Sequence, residues 1–149
     1  MLTIHAAAEV RRSWDDPRPL RDGGVVVQGS RVAAVGPLAE LRQRFPAARV
    51  RSWPGVLGPA LVHEGPLPEA PSPRERLHAV LTSGAVAVLQ RYAEGPELRA
   101  AAERNDIVLL AAVRPPVLAD GGRADLAVLD ADGACLATVC AGRLVHRRR

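Results

Sequence analysis

The chain has no lysine: all 20 of its basic residues are arginine, while asparagine and isoleucine are nearly absent and alanine, glycine and proline abound. That bias reads as the signature of a GC-rich genome and carries no functional message of its own. Aromatic residues make up 3% of the chain, too few for the stacking platforms that hold unpaired bases. The net charge of +4 and pI of about 10.3 therefore do not make a nucleic-acid protein, and the one basic cluster, His146-Arg147-Arg148-Arg149, reads as a solvated end. No apolar run approaches the ~18–20 residues of a membrane span. Met1-Leu-Thr-Ile-His5 is followed by Glu9, Arg11 and Arg12 and does not have the basic-then-apolar order of a secretory leader, so the expected location is the cytoplasm. Cysteine is scarce too. Cys135 and Cys140 are five apart on one expected strand, which points them to opposite faces and predicts free, buried thiols.

What is present is enough apolar residue, 48%, for a packed domain. Residues 2–9 read as a strand, and Val25–Val27 and Arg31–Val35 as two more around the hairpin signal Gln28-Gly29-Ser30. Leu38, Leu41 and Phe45 have helical spacing up to Pro46, and Val50–Trp53 returns to strand. After Pro54-Gly55, Val56–Val62 reads as a buried strand. Ser72-Pro73-Arg74-Glu75 has an N-cap serine, proline at the first helical position and glutamate three after the cap, with Leu77, Val80 and Leu81 as the buried stripe and Gly84 as the stop. Ala85–Leu89, a helix over Pro96–Arg104 and a strand over Asp106–Val113 complete a strand–helix–strand–helix–strand run, whose continuous apolar strands suit parallel pairing. Ala124–Leu129, Cys135–Ala141 and Leu144–His146 are short strands joined by Asp130-Ala-Asp-Gly133 and Gly142-Arg143, and they can bury their apolar faces by joining the N-terminal strands. The pairs Gly23-Gly24 and Gly121-Gly122 read as turns, not as phosphate cradles.

Three segments in this order resemble the amidohydrolase superfamily, in particular its imidazolonepropionase and aminodeoxyfutalosine deaminase-like members. They are the hairpin Val25–Gly36, the strand Gly122-Arg-Ala-Asp-Leu-Ala-Val-Leu-Asp130 and the closing Val139-Cys-Ala-Gly-Arg-Leu-Val145. The resemblance implies a mixed α/β fold: a small composite β-sandwich-like domain from residues 1–55 and 120–149, with residues 56–119 as a truncated βαβαβ remnant of a TIM-type barrel. A complete barrel takes ~200–250 residues. The resemblance also implies hydrolysis of non-peptide carbon–nitrogen bonds at a divalent metal, zinc for example, bound by a His-x-His pair on the first barrel strand. Here that strand reads Pro59-Ala-Leu-Val-His63-Glu64-Gly65-Pro66-Leu67, and the two ligand positions fall on Gly65 and Leu67, neither of which can ligate. The bridging lysine used by some members cannot exist in this chain.

The candidates for a rebuilt site, catalytic or metal-binding, are His63 and Glu64 at the end of that strand and His78 on the following helix, with Asp106 and Asp125 as further carboxylates. Hydrolytic metal chemistry needs about three ligands converging on an open position, and adjacent His63 and Glu64 face opposite sides of a strand. The blander reading is a loop-edge histidine and a solvated glutamate. His5 lies mid-strand, facing solvent or a neighbour; His146 belongs to the basic tail; Trp14 and Trp53 read as packing anchors; Ser72 is a cap, and Ser83 has no partner for nucleophilic work. The expectation is a non-catalytic binding or partner module without cofactor, paired as a homodimer or with another protein because strands cut from a barrel leave open edges. The alternative is a hydrolase whose metal site is rebuilt or completed by a partner. A small-molecule ligand in the crevice near Val62–Pro66 and Leu89–Tyr92 is a third possibility. No nucleic acid and no membrane partner is expected.

Overall fold

A computed structural model describes residues 1–148, which form two sheets; Arg149, the last residue of the basic tail, lies outside the described residues. The larger sheet begins with β1 (Leu2–Val10), β2 (Leu20–Gln28) and β3 (Arg31–Pro37), an antiparallel meander whose last turn is Gly29-Ser30. A short helix, α1 (Leu38–Arg44), crosses back and leads into β4 (Arg49–Pro59), which lies parallel to β1. From the C-terminal end come β8 (Leu126–Leu129), β9 (Cys135–Cys140) and β10 (Arg143–Arg147), and β8 pairs antiparallel with residues 56–59 of β4. The order is β10-β9-β8-β4-β1-β2-β3. The two ends of the chain thus build one sheet, as the sequence predicts.

That sheet curls so that the segment before β8 reaches its β3 edge. Val32 N–H donates to Gly122 O (2.8 Å), Gly121 N–H to Val32 O (2.7 Å) and Ala124 N–H to Ser30 O (2.7 Å), so the segment before β8 closes on β3 and the β2–β3 turn. Inside the roll Val10, Val25, Val32, Leu57, Leu126 and Val128 are essentially inaccessible. α1 covers the other side of the meander, with Leu41 packed on Ile4, Val26 and Ala34. At the crowded β9–β10 turn Gly142 (φ +83) abuts the Gly29 carbonyl, where a Cβ would collide.

The smaller sheet is parallel and three-stranded: β5 (Leu61–His63), β6 (Ala85–Leu89) and β7 (Val108–Leu110), in the order β5-β6-β7. Its crossovers are α2 (Pro73–Thr82) and, after a 3₁₀ turn at Gln90–Tyr92, α3 (Pro96–Arg104). α2 starts as its sequence dictates, with Glu75 N–H donating to Ser72 Oγ at 3.2 Å, and Gly84 (φ +95) follows its last turn. Leu77, Val80 and Leu81 pack on Val86, Val88 and α3's Ala101 and Ala102, with Cys140 and Val145 of the large sheet beside them. Thr138 Oγ1–H donates to Leu81 O at 2.7 Å, tying α2 to β9. Among the described residues no helix is long and apolar enough to cross a membrane.

Four local readings are corrected. Gly23-Gly24 is no turn but lies inside β2, where a Cβ on Gly24 would come within 3.0 Å of Ile4 Cγ2 and 3.1 Å of Leu41 Cδ1. Val56–Val62 is not one strand: β4 runs through Pro54-Gly55, which bulge opposite the interval between Ala7 and Glu9, and residues 56–59 belong to the large sheet. β7 is confined to Val108–Leu110, and residues 111–115 are exposed. In β9 a register shift beside Leu129 brings Cys135 Sγ within 3.3 Å of Thr138 Oγ1, so ideal alternation does not set its direction. Both thiols are free, Cys140 buried and Cys135 half-buried.

Candidate functional site

Parallel strands offer their C-terminal ends to ligands because the crossovers open there. His63 ends β5, and its Nε2 lies 2.8 Å from Pro66 O, three residues on. The chain then turns back: Glu64 is exposed, Gly65 has open space around it, and Leu67 is buried with 4% exposure in the apolar cluster of α2 and α3. The second position at which the resemblance implies a ligand is therefore part of a core. His78 is exposed on α2, close enough to His146 of β10 for the two imidazoles to repel. His146 is thus a strand residue; burial first, and His78 second, hold its pKa below the ordinary value. His63, Glu64 and His78 are not gathered: among the described residues no three His, Cys, Asp or Glu side chains converge to hold a metal ion.

The two further carboxylates serve a junction between the sheets that the sequence did not reveal. Arg123 Nε donates to both Asp125 oxygens at 2.9 Å, and Asp125 Oδ1 also accepts from Ala141 N–H at 2.9 Å. Ala141 has positive φ (49°), so Asp125 braces the strained corner before β10. The Arg123 guanidinium also reaches the Asp106 carbonyl and, at 3.3 Å, Cys140 Sγ. The Asp106 carboxylate pairs with Arg143 at 2.7 Å. Burial raises the Cys140 pKa to about 11, leaving a neutral thiol unsuited to nucleophilic work. The motif spacing Ala-Asp-Leu against Gly-Arg was the available signal, since it sets Asp125 against the turn that precedes β10.

The aromatic residues anchor packing. Trp14 Nε1–H donates to Pro59 O at 2.7 Å, and its ring lies against Gly58, where a Cβ would come within 2.7 Å. Trp53 is 8% exposed and donates through Nε1–H to His5 Nδ1 at 3.1 Å. His5 is buried against this neighbouring strand, and burial, with Arg51 adding to it, lowers its pKa to about 4. At the far ends of β6 and β7 an open depression is lined by Gln90, Arg91, Glu94 and Arg99. Tyr92 does not line it; its ring lies 5.0 Å from the Arg91 guanidinium.

A family model described as an imidazolonepropionase-like composite domain of bacteria matches residues 23–48, the β2–β3 hairpin and α1. No curated protein matches the chain. Among solved structures it is similar to an adenosine deaminase from Xanthomonas campestris with bound zinc, at TM-score 0.59 and 20% identity over 72% of this chain and 33% of that one. It is also similar to the A. niger ochratoxinase (0.53, 22%, covering 72% and 29%) and to the guanine deaminase from Bradyrhizobium japonicum (0.53, 14%, covering 71% and 32%). The chain spans about a third or less of those proteins' lengths. The donor set at the end of β5 does not fit the zinc found in the deaminase: glycine and a buried leucine stand where the resemblance implies ligands, and among the described residues the remaining donors do not converge. The chain thus shares the fold of these structures, its residues 23–48 match an imidazolonepropionase-like composite domain, and strands from both ends of the chain form one sheet beside a three-stranded parallel layer.

Proposed function

We propose that this chain is a non-catalytic binding or partner module. The observation that carries the reading is Leu67, packed with Leu77 and Val80 at a position where the resemblance implies a metal ligand. An imidazole there would exchange core packing for a buried polar ring, so the end of β5 is built for stability and not for chemistry. The partner reading rests on β7, which among the described residues has no strand beside its outer side and leads into the exposed segment after Leu110. Open edges of this kind invite another chain, a second copy or a different subunit. Light scattering across the micromolar range tests the self-paired form: a mass above the 15.8 kDa of one chain that rises with concentration is expected. A strictly monomeric species overturns it.

A second reading is favoured by the likeness to a zinc-bound deaminase: hydrolysis of a non-peptide carbon–nitrogen bond at a site completed by a partner chain, with His63 supplying a ligand. His63→Ala decides its residue assignment. Loss of any hydrolytic activity found in the wild type supports it, and an activity indifferent to the change removes it.

A further inference from the structure

Parallel sheets are ordinarily covered on both faces. Here α2 and α3 cover one, holding Val86, Val88 and Leu109, while Val62, Ala87, Val108 and Leu110 point the other way. Over that second face passes a strap without regular structure, Arg114-Pro115-Pro116-Val117. The strap is fixed at both ends, by Leu110 in β7 and by Leu118, which is 5% exposed and whose N–H donates to Arg12 O at 2.7 Å. Its consecutive prolines lack N–H groups and have fixed φ, which stiffens the span. Between strap and sheet lies a cleft of about 310 Å³, at the lower end of the range of small-molecule sites. On the β5 side it is lined by Pro59–Val62 and does not include His63, so it is separate from the strand end considered above.

The charges at this cleft select an occupant. Asp125 and Arg123 both line it, but they neutralise each other through the ion pair described above, in which Arg123 Nε–H is shared by both carboxylate oxygens. Arg114, exposed at the wall, makes no side-chain hydrogen bond or ion pair among the described residues. The net charge facing the cleft is therefore one positive charge above an aliphatic floor. We propose that the cleft binds a small amphipathic monocarboxylate, its apolar body on Val62, Ala87 and Val108 and its carboxylate at the Arg114 guanidinium, a planar fork matched to two carboxylate oxygens. The proposal does not depend on how the chain pairs.

Octanoate is the probe, with 1-octanol as its neutral counterpart, each titrated into the full chain by methyl NMR. Saturable shifts of the Val62, Val108 and Leu110 methyls are expected with octanoate at or below about 10 mM. Arg114→Gln, an exposed change that leaves the fold intact, is expected to weaken octanoate about fivefold and leave octanol unaffected. Ala87→Leu, verified as folded by its methyl spectrum, is expected to abolish both by filling the floor. Shifts confined to other surfaces, no saturation, or equal octanoate affinity in Arg114→Gln would each overturn the proposal. None of these results bears on metal binding or on oligomeric state.

Discussion

His5 and Trp53 show how a single hydrogen bond sets a protonation state. Because Trp53 Nε1 can only donate, His5 Nδ1 must accept, and the imidazole proton resides on Nε2. The rings lie nearly parallel (14°) with centroids 6.3 Å apart, and the Arg51 and Arg147 guanidiniums stand 5.7 and 5.6 Å from the Trp53 ring. A protonated His5 would add a third cation and lose the acceptor that Trp53 needs. Its folded pKa of about 4 lies below the unfolded value of about 6.5, so the unfolded chain binds more protons between them. Stability from this group is complete above pH about 6.5 and falls as pH drops towards 4, a loss of roughly 3 kcal/mol in all. Urea unfolding followed by tryptophan fluorescence should show about 2 kcal/mol of that loss between pH 6.5 and 5. In His5→Gln, which retains an acceptor, this part of the slope should disappear. An unchanged slope would place the acid sensitivity elsewhere. Cys140 makes the opposite point at the same scale: with its pKa raised to about 11, it should react with thiol reagents at neutral pH far more slowly in native protein than in urea.

At the scale of elements, what was legible depended on whether the signal was local. The start of α2 was fully written in Ser72-Pro73 and Glu75, and Ser72→Ala should cost about 1 kcal/mol in urea midpoint measurements. β6 was recovered over Ala85–Leu89 and the hairpin around Gly29-Ser30 by its turn residues. Gly142 is legible as a turn residue but not for its severity: a Cβ there meets the Gly29 carbonyl, from a turn more than a hundred residues earlier in sequence. Gly142→Ala should therefore cost more than about 2 kcal/mol, well beyond an ordinary exposed turn. The misreadings share that non-local origin. Gly23 and Gly24 are read as a turn from composition, yet they are small because Ile4, Val10 and Leu41 crowd them. Pro54-Gly55 signals a break, yet β4 continues because a bulge absorbs both residues and strands on either side hold the rest. In the candidate site, the lack of ligating groups at Gly65 and Leu67 could be read directly. The burial of Leu67 and the capture of Asp125 by Arg123 could not, because each depends on which distant segment arrives beside it.

At the scale of the molecule, a rolled sheet and a parallel layer are joined by a few specific contacts. Arg123 is central among them, linking Asp125, the Asp106 carbonyl and Cys140 across the boundary. Arg123→Ala should destabilise the chain by about 2 kcal/mol, with hydrogen-exchange protection lost first in β9 and β10. Retention of full protection would mean that Thr138 and the apolar contacts of Cys140 and Val145 suffice. Among the described residues the layer's C-terminal strand ends have no converging set of donors, and the proposed non-catalytic role predicts a protein without a catalytic metal. That role is tested most directly by the metal content of protein purified without a histidine tag, measured by mass spectrometry. Zinc, iron and manganese well below one per chain are predicted. Near-stoichiometric metal in the wild type, lost in His63→Ala, would overturn the non-catalytic role and return the end of β5 to chemistry.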